Sequence, residues 1–269
     1  MREPGGPQAF GTIIVVGGGC YGTYYVRQLS RAANARAIRA AGVVVVDRDP
    51  SCRVAGELKA VRESSPLVVE IVVAEWRAFF DEYLRGAAEN PSPTVDDAIV
   101  PSPLMPHLMG EWLVSRARDQ FPGRVSARPF DSVPEVPWAR AGDDGTHYVS
   151  FATWMCPVNC VEPRVCPHTR DARSWSMPQR IAEYAAASPN TESAVLFCRH
   201  RAYGVGMFDT AEVLQADRRI AAAGEPGPAE VIIGTVSHCH GALTRLVILS
   251  KGEALDPCAT EPGSSLRAG

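Results

Sequence analysis

The chain has 269 residues, 46% hydrophobic and 21% charged, with a formal net charge of -3, the profile of an ordinary globular protein long enough for one large domain or two modest ones. Such a charge gives no electrostatic reason to expect nucleic acid or an anionic membrane as partner, and no apolar run approaches the roughly 20 residues that span a bilayer. The opening MREPGGPQAFGT lacks the apolar segment of a secretory signal, so a cytoplasmic protein is expected, with eight cysteines serving as thiols, metal ligands or redox groups rather than bridges.

Residues 1–10, rich in Pro and Gly, and residues 252–269, without apolar periodicity, read as flexible tails, and Cys258 in the second of them as incidental. Thr12 to Val16 is a β-branched run suited to a strand buried on both faces. Gly17, Gly19 and Gly22 follow in the order G-x-G-x-x-G, and a helical stretch continues from Thr23. A second strand, Val43 to Val46, ends in Asp47. The spacing has a physical logic: Gly17 allows a tight turn, Gly19 lets a pyrophosphate approach the backbone, and Gly22 lets helix and strand pack closely. The helix N-terminus then offers unpaired N–H groups to an anion. A carboxylate at the tip of the second strand accepts hydrogen bonds from a ribose hydroxyl.

On these residues the first half of the chain resembles the Rossmann-type NAD(P)-binding proteins. The resemblance implies a dinucleotide held by Gly17, Gly19, Cys20, Tyr21, Gly22, Asp47, Arg48 and Ser102. Asp47 favours NAD by repelling a 2′-phosphate, while Arg48 beside it keeps NADP open. Gly22 and Asp47 lie 25 positions apart, more than in the common fingerprint, which predicts extra residues in the first helix or its exit loop.

The alternation continues with a third strand over Leu67 to Val73 and a helix over Glu75 to Leu84, with Trp76, Phe79, Phe80 and Tyr83 on its apolar side. A fourth strand, Asp97 to Val100, runs into PSPLMP, whose prolines forbid a regular ladder. A helix over His107 to Arg118 follows. Loops after the carboxyl ends of parallel strands form the ligand crevice, which makes Ser102 and His107 pocket candidates, with a solvent-facing helix start as the other reading of His107. Val125 to Pro129 reads as a fifth strand. The expected fold is therefore α/β: a Rossmann-like doubly wound parallel sheet over residues 11–140, followed by a smaller Cys/His-rich α+β part over residues 146–250.

That second part contains strands at His147 to Trp154, within Ala194 to Phe208, at Glu230 to Val236 and at Leu243 to Leu249, with helices near Gln179 to Ala187 and Ala211 to Ala223. Cys156, Cys160, Cys166, Cys198 and Cys239, with His168, His200, His238 and His240, gather between residues 156 and 240. In CPVNCVEPRVCPHT, Cys156, Cys160, Cys166 and His168 are candidate ligands for zinc or an iron-sulfur cluster, because soft thiolates suit both and prolines lower the entropy lost on wrapping an ion. The spacing C-x3-C-x5-C-x-H matches neither common zinc modules nor the ferredoxin run, so thiol redox chemistry and buried structural cysteines stay open. In SHCHG, His238, Cys239 and His240 are candidate catalytic groups, a histidine passing protons beside a thiolate, against a reading as ordinary turn residues.

Three functional classes emerge. The first is an NAD(P)-dependent oxidoreductase with a metal or iron-sulfur site in its second half, acting on a small-molecule substrate that the arginines would suit if it were anionic. The second is a non-catalytic nucleotide-sensing module with a structural zinc site, and the third a methyltransferase using S-adenosylmethionine. A homo-oligomer is left open.

Overall fold

A computed structural model describes residues 7–152, 156 and 160–253, with Pro93 as backbone only. Trp154, Pro157, Cys258 and most of both expected tails lie outside the described residues. In chain order the elements are β1 (Gln8–Val16), α1 (Cys20–Asn34), β2 (Ile38–Asp47), α2 (Arg53–Ser64), β3 (Val69–Val73), α3 (Trp76–Glu89), β4 (Ala98–Val100), α4 (Leu108–Gln120) and β5 (Val125–Arg128). There follow β6 (Trp138–Ala141), β7 (His147–Ser150), α5 (Met177–Ala186), β8 (Thr191–Phe197), β9 (Arg199–Ala202), β10 (Val205–Asp209), α6 (Thr210–Gly224), β11 (Ala229–Val236) and β12 (His240–Ile248). Among the described residues no helix is long and apolar enough to cross a membrane.

The chain divides into two compact units. One comprises Met1–Leu108, Asn159–Val161 and Cys198–Leu214, and the other Met109–Val158, Glu162–Phe197 and Gln215–Gly269. The expected boundary near residue 140 is therefore displaced to Leu108, and part of the second half returns to the first unit.

The first unit carries a six-stranded sheet in the order β3-β2-β1-β4-β10-β9. The first four strands of that order run parallel, whereas β10 pairs antiparallel with β4 and β9 antiparallel with β10. The sheet is thus mixed and not the wholly parallel one expected. Pro101, Pro103 and Pro106 lack the N–H that a ladder needs, so β4 stops after three residues and the next strand to reach its edge comes from Val205–Asp209. Residues 125–128 do not extend this sheet, since β5 pairs with β12 in the other one.

Ile13, Ile14, Val15 and Val16 are all at most 3% exposed, as a strand covered on both faces requires. Ile13 and Val15 pack with Val43, Val45, Val26 and Leu29, so α1 seals one face. The extra residues between Gly22 and Asp47 lie in neither the helix nor its exit loop: β2 begins at Ile38, and β1 at Gln8, paired with it. Gln8 to Phe10, expected in a tail, are strand residues. The helix α2 was not anticipated, because only Val54 and Val61 of it are buried and its apolar periodicity is faint.

Asp97 ties this unit together at the start of β4. It is 4% exposed; Oδ1 accepts the Thr12 N–H at 2.6 Å and Oδ2 the Tyr83 hydroxyl at 2.7 Å. Tyr83 Oη in turn lies 3.1 Å from Thr210 Oγ1, and the Asp97 carbonyl accepts the Thr210 N–H at 2.9 Å. Two elements, β1 and α3, therefore meet on the Asp97 carboxylate, and α6 joins them through the Asp97 carbonyl and the Tyr83 hydroxyl.

The second unit has a sheet in the order β6-β7-β12-β11-β8, with β5 also pairing β12. It is mixed, with β8 parallel to β11 and the other pairs antiparallel. Val149, Met177, Ile181, Ile232, Val236 and Leu243 form its core beneath α5. The stretch Ala194 to Phe208, expected to be one β-rich run of the second part, is split: β8 ends at Phe197 in this unit, and β9 and β10 belong to the first.

Removing the Asp97 carboxylate leaves the half-buried Thr12 N–H without its acceptor and the Tyr83 hydroxyl with Thr210 alone. Asp97→Ala is expected to lower stability by about 3 kcal/mol and Tyr83→Phe by about 1 kcal/mol in urea unfolding. Equal, small losses for both would show that Asp97 is not the clamp.

Candidate functional site

The first unit holds a cavity of about 430 Å³, within the range of small-molecule sites. All eight residues put forward for cofactor binding line it: Gly17, Gly19, Cys20, Tyr21, Gly22, Asp47, Arg48 and Ser102. They stand at the carboxyl ends of β1 and β2, at the start of α1 and in the loop after β4. Glu75, Trp76 and Arg77 add the end of β3, and Leu104, Met105 and Leu108 an apolar side.

Local geometry explains the glycine turn. The Gly17 N–H donates to the Val46 carbonyl at 2.9 Å, and Gly17 adopts φ +88, which L side chains rarely take. A side chain there would also press against the Trp76 ring, at 3.2 Å from Cζ2. A side chain on Gly22 would collide with the Gly17 carbonyl, so that glycine sets the closeness of helix and strand. Gly19 differs, being exposed at the N-cap of α1 with none of the described residues within 4 Å of where its Cβ would stand. No side chain caps α1, and its first intrahelical bond runs from Thr23 N–H to the Gly19 carbonyl at 2.9 Å. The amides of Cys20, Tyr21 and Gly22 precede that bond and have no intrahelical partner.

Asp47 faces this turn. Its Oδ2 accepts the Gly18 N–H at 2.6 Å and its Oδ1 the Asp49 N–H at 2.9 Å. Each carboxylate oxygen has two lone pairs, so acceptor capacity remains on both. Arg48 is highly exposed and 4.0 Å from the equally exposed Glu75, a pair of little energetic weight.

In the loop after β4 the Ser102 hydroxyl accepts the Leu104 N–H at 3.2 Å, and the Ser102 carbonyl the Met105 N–H at 3.1 Å. This coil leaves Leu104 72% exposed and turns His107 inward, to 3% exposure. His107 is neither the solvent-facing residue that one reading expected nor among the residues lining the cavity.

The Cys/His region assembles differently from its sequence pattern. Among the described residues no group of three or more His, Cys, Asp and Glu side chains could hold a metal ion, and Cys156, Cys160, Cys166 and His168 do not converge. Cys160 falls with the first unit while Cys156 and Cys166 fall with the second. The Cys166 sulfur is turned into its own loop. It accepts the N–H of Thr169 above all, then the N–H of His168 and the Thr169 hydroxyl; with Arg173 nearby these hold the thiol below its usual range despite burial. His168 is exposed.

In SHCHG, His238 and Cys239 occupy the turn between β11 and β12, closed by the Ser237 N–H donating to the His240 carbonyl at 2.8 Å. Cys239 is 4% exposed and takes the Trp175 indole N–H at 3.2 Å; burial pushes its thiol up to about 11. It is a protonated, covered thiol at neutral pH, so the thiolate expected beside the histidines does not form in this setting. His238 is exposed, its ring edge-on to Phe197 at 4.8 Å between centroids. His240 Nδ1 lies 3.0 Å from Ser150 Oγ, whose one proton goes to the Ala152 carbonyl. Nδ1 is then the donor, and burial lowers the His240 pKa, keeping the ring neutral.

What orders this turn is a residue that sequence reasoning passed over. Glu162 accepts the Ser237 hydroxyl at 2.7 Å and the N–H groups of Cys239 and His238 at 2.9 and 3.0 Å. Burial would raise its pKa, but these donors outweigh it and hold the carboxyl below its ordinary value. Its backbone sits at φ 49, a conformation that costs a non-glycine residue about 1 kcal/mol and persists because the carboxylate is anchored. One acid among three prolines gave no signal of this role.

The two mixed sheets, with six α-helices among the described residues, and a cavity at a glycine turn define a mixed α/β protein with a candidate ligand site in its first unit. The family model AF_1314_C, described as "Uncharacterized protein, C-terminal domain", matches residues 109–249, just over half of the chain, and the chain belongs to that family. The matched span begins where the second unit begins. No curated protein and no solved structure matches the chain.

Two outcomes follow for the second unit. Iodoacetamide at pH 7.5, read by peptide mass spectrometry, is expected to label the exposed Cys20 at least tenfold faster than Cys239; rapid labelling of Cys239 in the folded protein would contradict its burial. Glu162→Gln should lower stability by about 2 kcal/mol at pH 7. Because the folded-state pKa of Glu162 is depressed, its contribution is complete above the unfolded carboxylate pKa and is lost as pH falls through the folded one. The difference between wild type and variant should therefore shrink in urea titrations below about pH 4; a difference independent of pH would refute the assignment.

Proposed function

We propose that this protein binds a dinucleotide, NAD(H) in preference to NADP(H), in the cavity of its first unit and acts as an oxidoreductase on a small-molecule substrate. The parallel strands β3-β2-β1-β4 reproduce the order of a Rossmann-like half, with the cavity at their carboxyl ends, where ligands bind in such sheets. The observation that carries the reading is Gly19. Gly17 and Gly22 are required by the chain's own geometry, whereas among the described residues nothing stands within 4 Å of where a Cβ on Gly19 would lie. What its missing side chain leaves open is the approach to the free amides of the α1 N-terminus, the place for a pyrophosphate.

Asp47 supplies the second contact. Its remaining lone pairs face the turn and suit a ribose diol, and its charge disfavours a 2′-phosphate. NAD supplies hydride transfer when bound. The chain's part is to hold the pyrophosphate on backbone amides, fix the ribose, and offer an apolar wall of Leu104, Met105 and Leu108 beside the Ser102 hydroxyl. Cys156, Cys160, Cys166 and His168 are not gathered into a donor set for a metal among the described residues. Cys20, Tyr21, Asp47 and Glu75 are the cavity-lining side chains able to exchange a proton; if none of them serves a reaction, the site has the non-catalytic nucleotide-sensing role instead.

Calorimetric titration separates these readings. NADH is expected to bind, NADPH at least tenfold more weakly, and S-adenosylmethionine not at all. Gly19→Ala should melt with the wild type yet bind NADH at least tenfold more weakly, because its Cβ touches only the ligand. Absence of dinucleotide binding, or full affinity in Gly19→Ala, would reject the proposal. Tight S-adenosylmethionine binding would put a methyltransferase in its place. NADH binding without NADH oxidation or NAD reduction across small carbonyl and alcohol panels would favour the sensing role.

A further inference from the structure

Resting on that dinucleotide reading, we infer that Trp76 is the wall of the cavity on which the adenine base of the ligand stacks. Trp76 is the first residue of α3 and lines the cavity, while Phe80, one turn later, is 1% exposed and belongs to the core. Its indole is fixed at two points. Nε1–H donates to the Val46 carbonyl at 2.9 Å, and the six-membered ring runs beside Gly17, whose absent side chain makes room for it.

A half-exposed tryptophan with its N–H already satisfied has no polar contact left to make. What it adds to the cavity lining is the carbon surface of an indole held at two points, and a preordered aromatic side chain stacks a planar base at little entropic cost. The position selects which half of the ligand arrives there. Val46 directly precedes Asp47, so the base carried by the ribose on Asp47 falls next to the indole. Arg48 and Arg77, both exposed, stand on the same rim. The opposite side of the cavity, Leu104 to Leu108, then receives the other half of the dinucleotide. A bicyclic purine covers more of the indole than a single ring does, which makes the adenine end the better occupant.

The test uses the two halves of the ligand on the full-length protein. ADP-ribose and reduced nicotinamide mononucleotide are titrated separately into wild type, Trp76→Phe and Trp76→Leu, with melting curves to show that each variant is folded. ADP-ribose affinity should fall about tenfold in Trp76→Leu and less in Trp76→Phe, which keeps a smaller aromatic face, while the mononucleotide is unchanged. Energy transfer from tryptophan to bound NADH, compared at saturating NADH, should drop in both variants, because both lack the indole nearest the base. Unchanged ADP-ribose affinity in both variants, or a loss confined to the mononucleotide, overturns the inference and leaves the dinucleotide reading standing. A wild type that binds neither half and no NADH overturns both.

Discussion

The Val46 carbonyl at the end of β2 is the point on which the candidate site depends. It accepts two donors, the N–H of Gly17 and the indole N–H of Trp76, each at 2.9 Å. One bond stitches the exit of β1 to the exit of β2, and the other draws the start of α3 against the same turn. Asp47, the next residue, takes the Gly18 N–H at 2.6 Å. Three exits of the parallel strands are thereby held within hydrogen-bonding distance of one another, and the mouth of the cavity is fixed by backbone rather than by long side chains. Only a residue able to adopt φ +88 without a Cβ fits between these partners, which is why the first glycine matters structurally before it matters to any ligand.

The two units divide the chemistry in an uneven way. The first, with its parallel core and Asp97 clamp, carries the cavity, while the second, which the family model covers, carries a tight turn organised by one carboxylate. Glu162 serves there as a buried acceptor for a row of amides, the same physical device as an anion in a backbone nest, except that the anion is the chain's own. Cys166 is treated similarly, its sulfur facing the amides of His168 and Thr169. Cys239 is instead kept protonated under Trp175. Residues that look alike in the sequence thus have opposite electrostatic surroundings, and neither behaves as one ligand of a shared centre.

Much of the first unit was legible because its signals are local. A β-branched run, glycines at fixed spacing and an acid at a strand tip each depend on neighbours within a few positions, and the strand, turn, helix, strand order follows from them. The proline run correctly marked the end of β4. The helices α3, α4, α5 and α6 were visible from apolar periodicity, whereas α2, with two buried residues, was not.

What the amino-acid sequence determined by itself, then, was the glycine turn, the parallel strands around it and the eight residues that come to line the cavity. Tertiary structure alone decided the mixed character of the sheet, since antiparallel pairing of β10 with β4 joins residues more than a hundred positions apart. It alone decided that Glu162 organises SHCHG, because hydrogen bonding across some 75 positions leaves no periodicity to read. The same holds for the thiols: whether a sulfur meets amides, an indole or solvent depends on the packing of distant segments, and the spacing of cysteines along the chain carries no information about that packing.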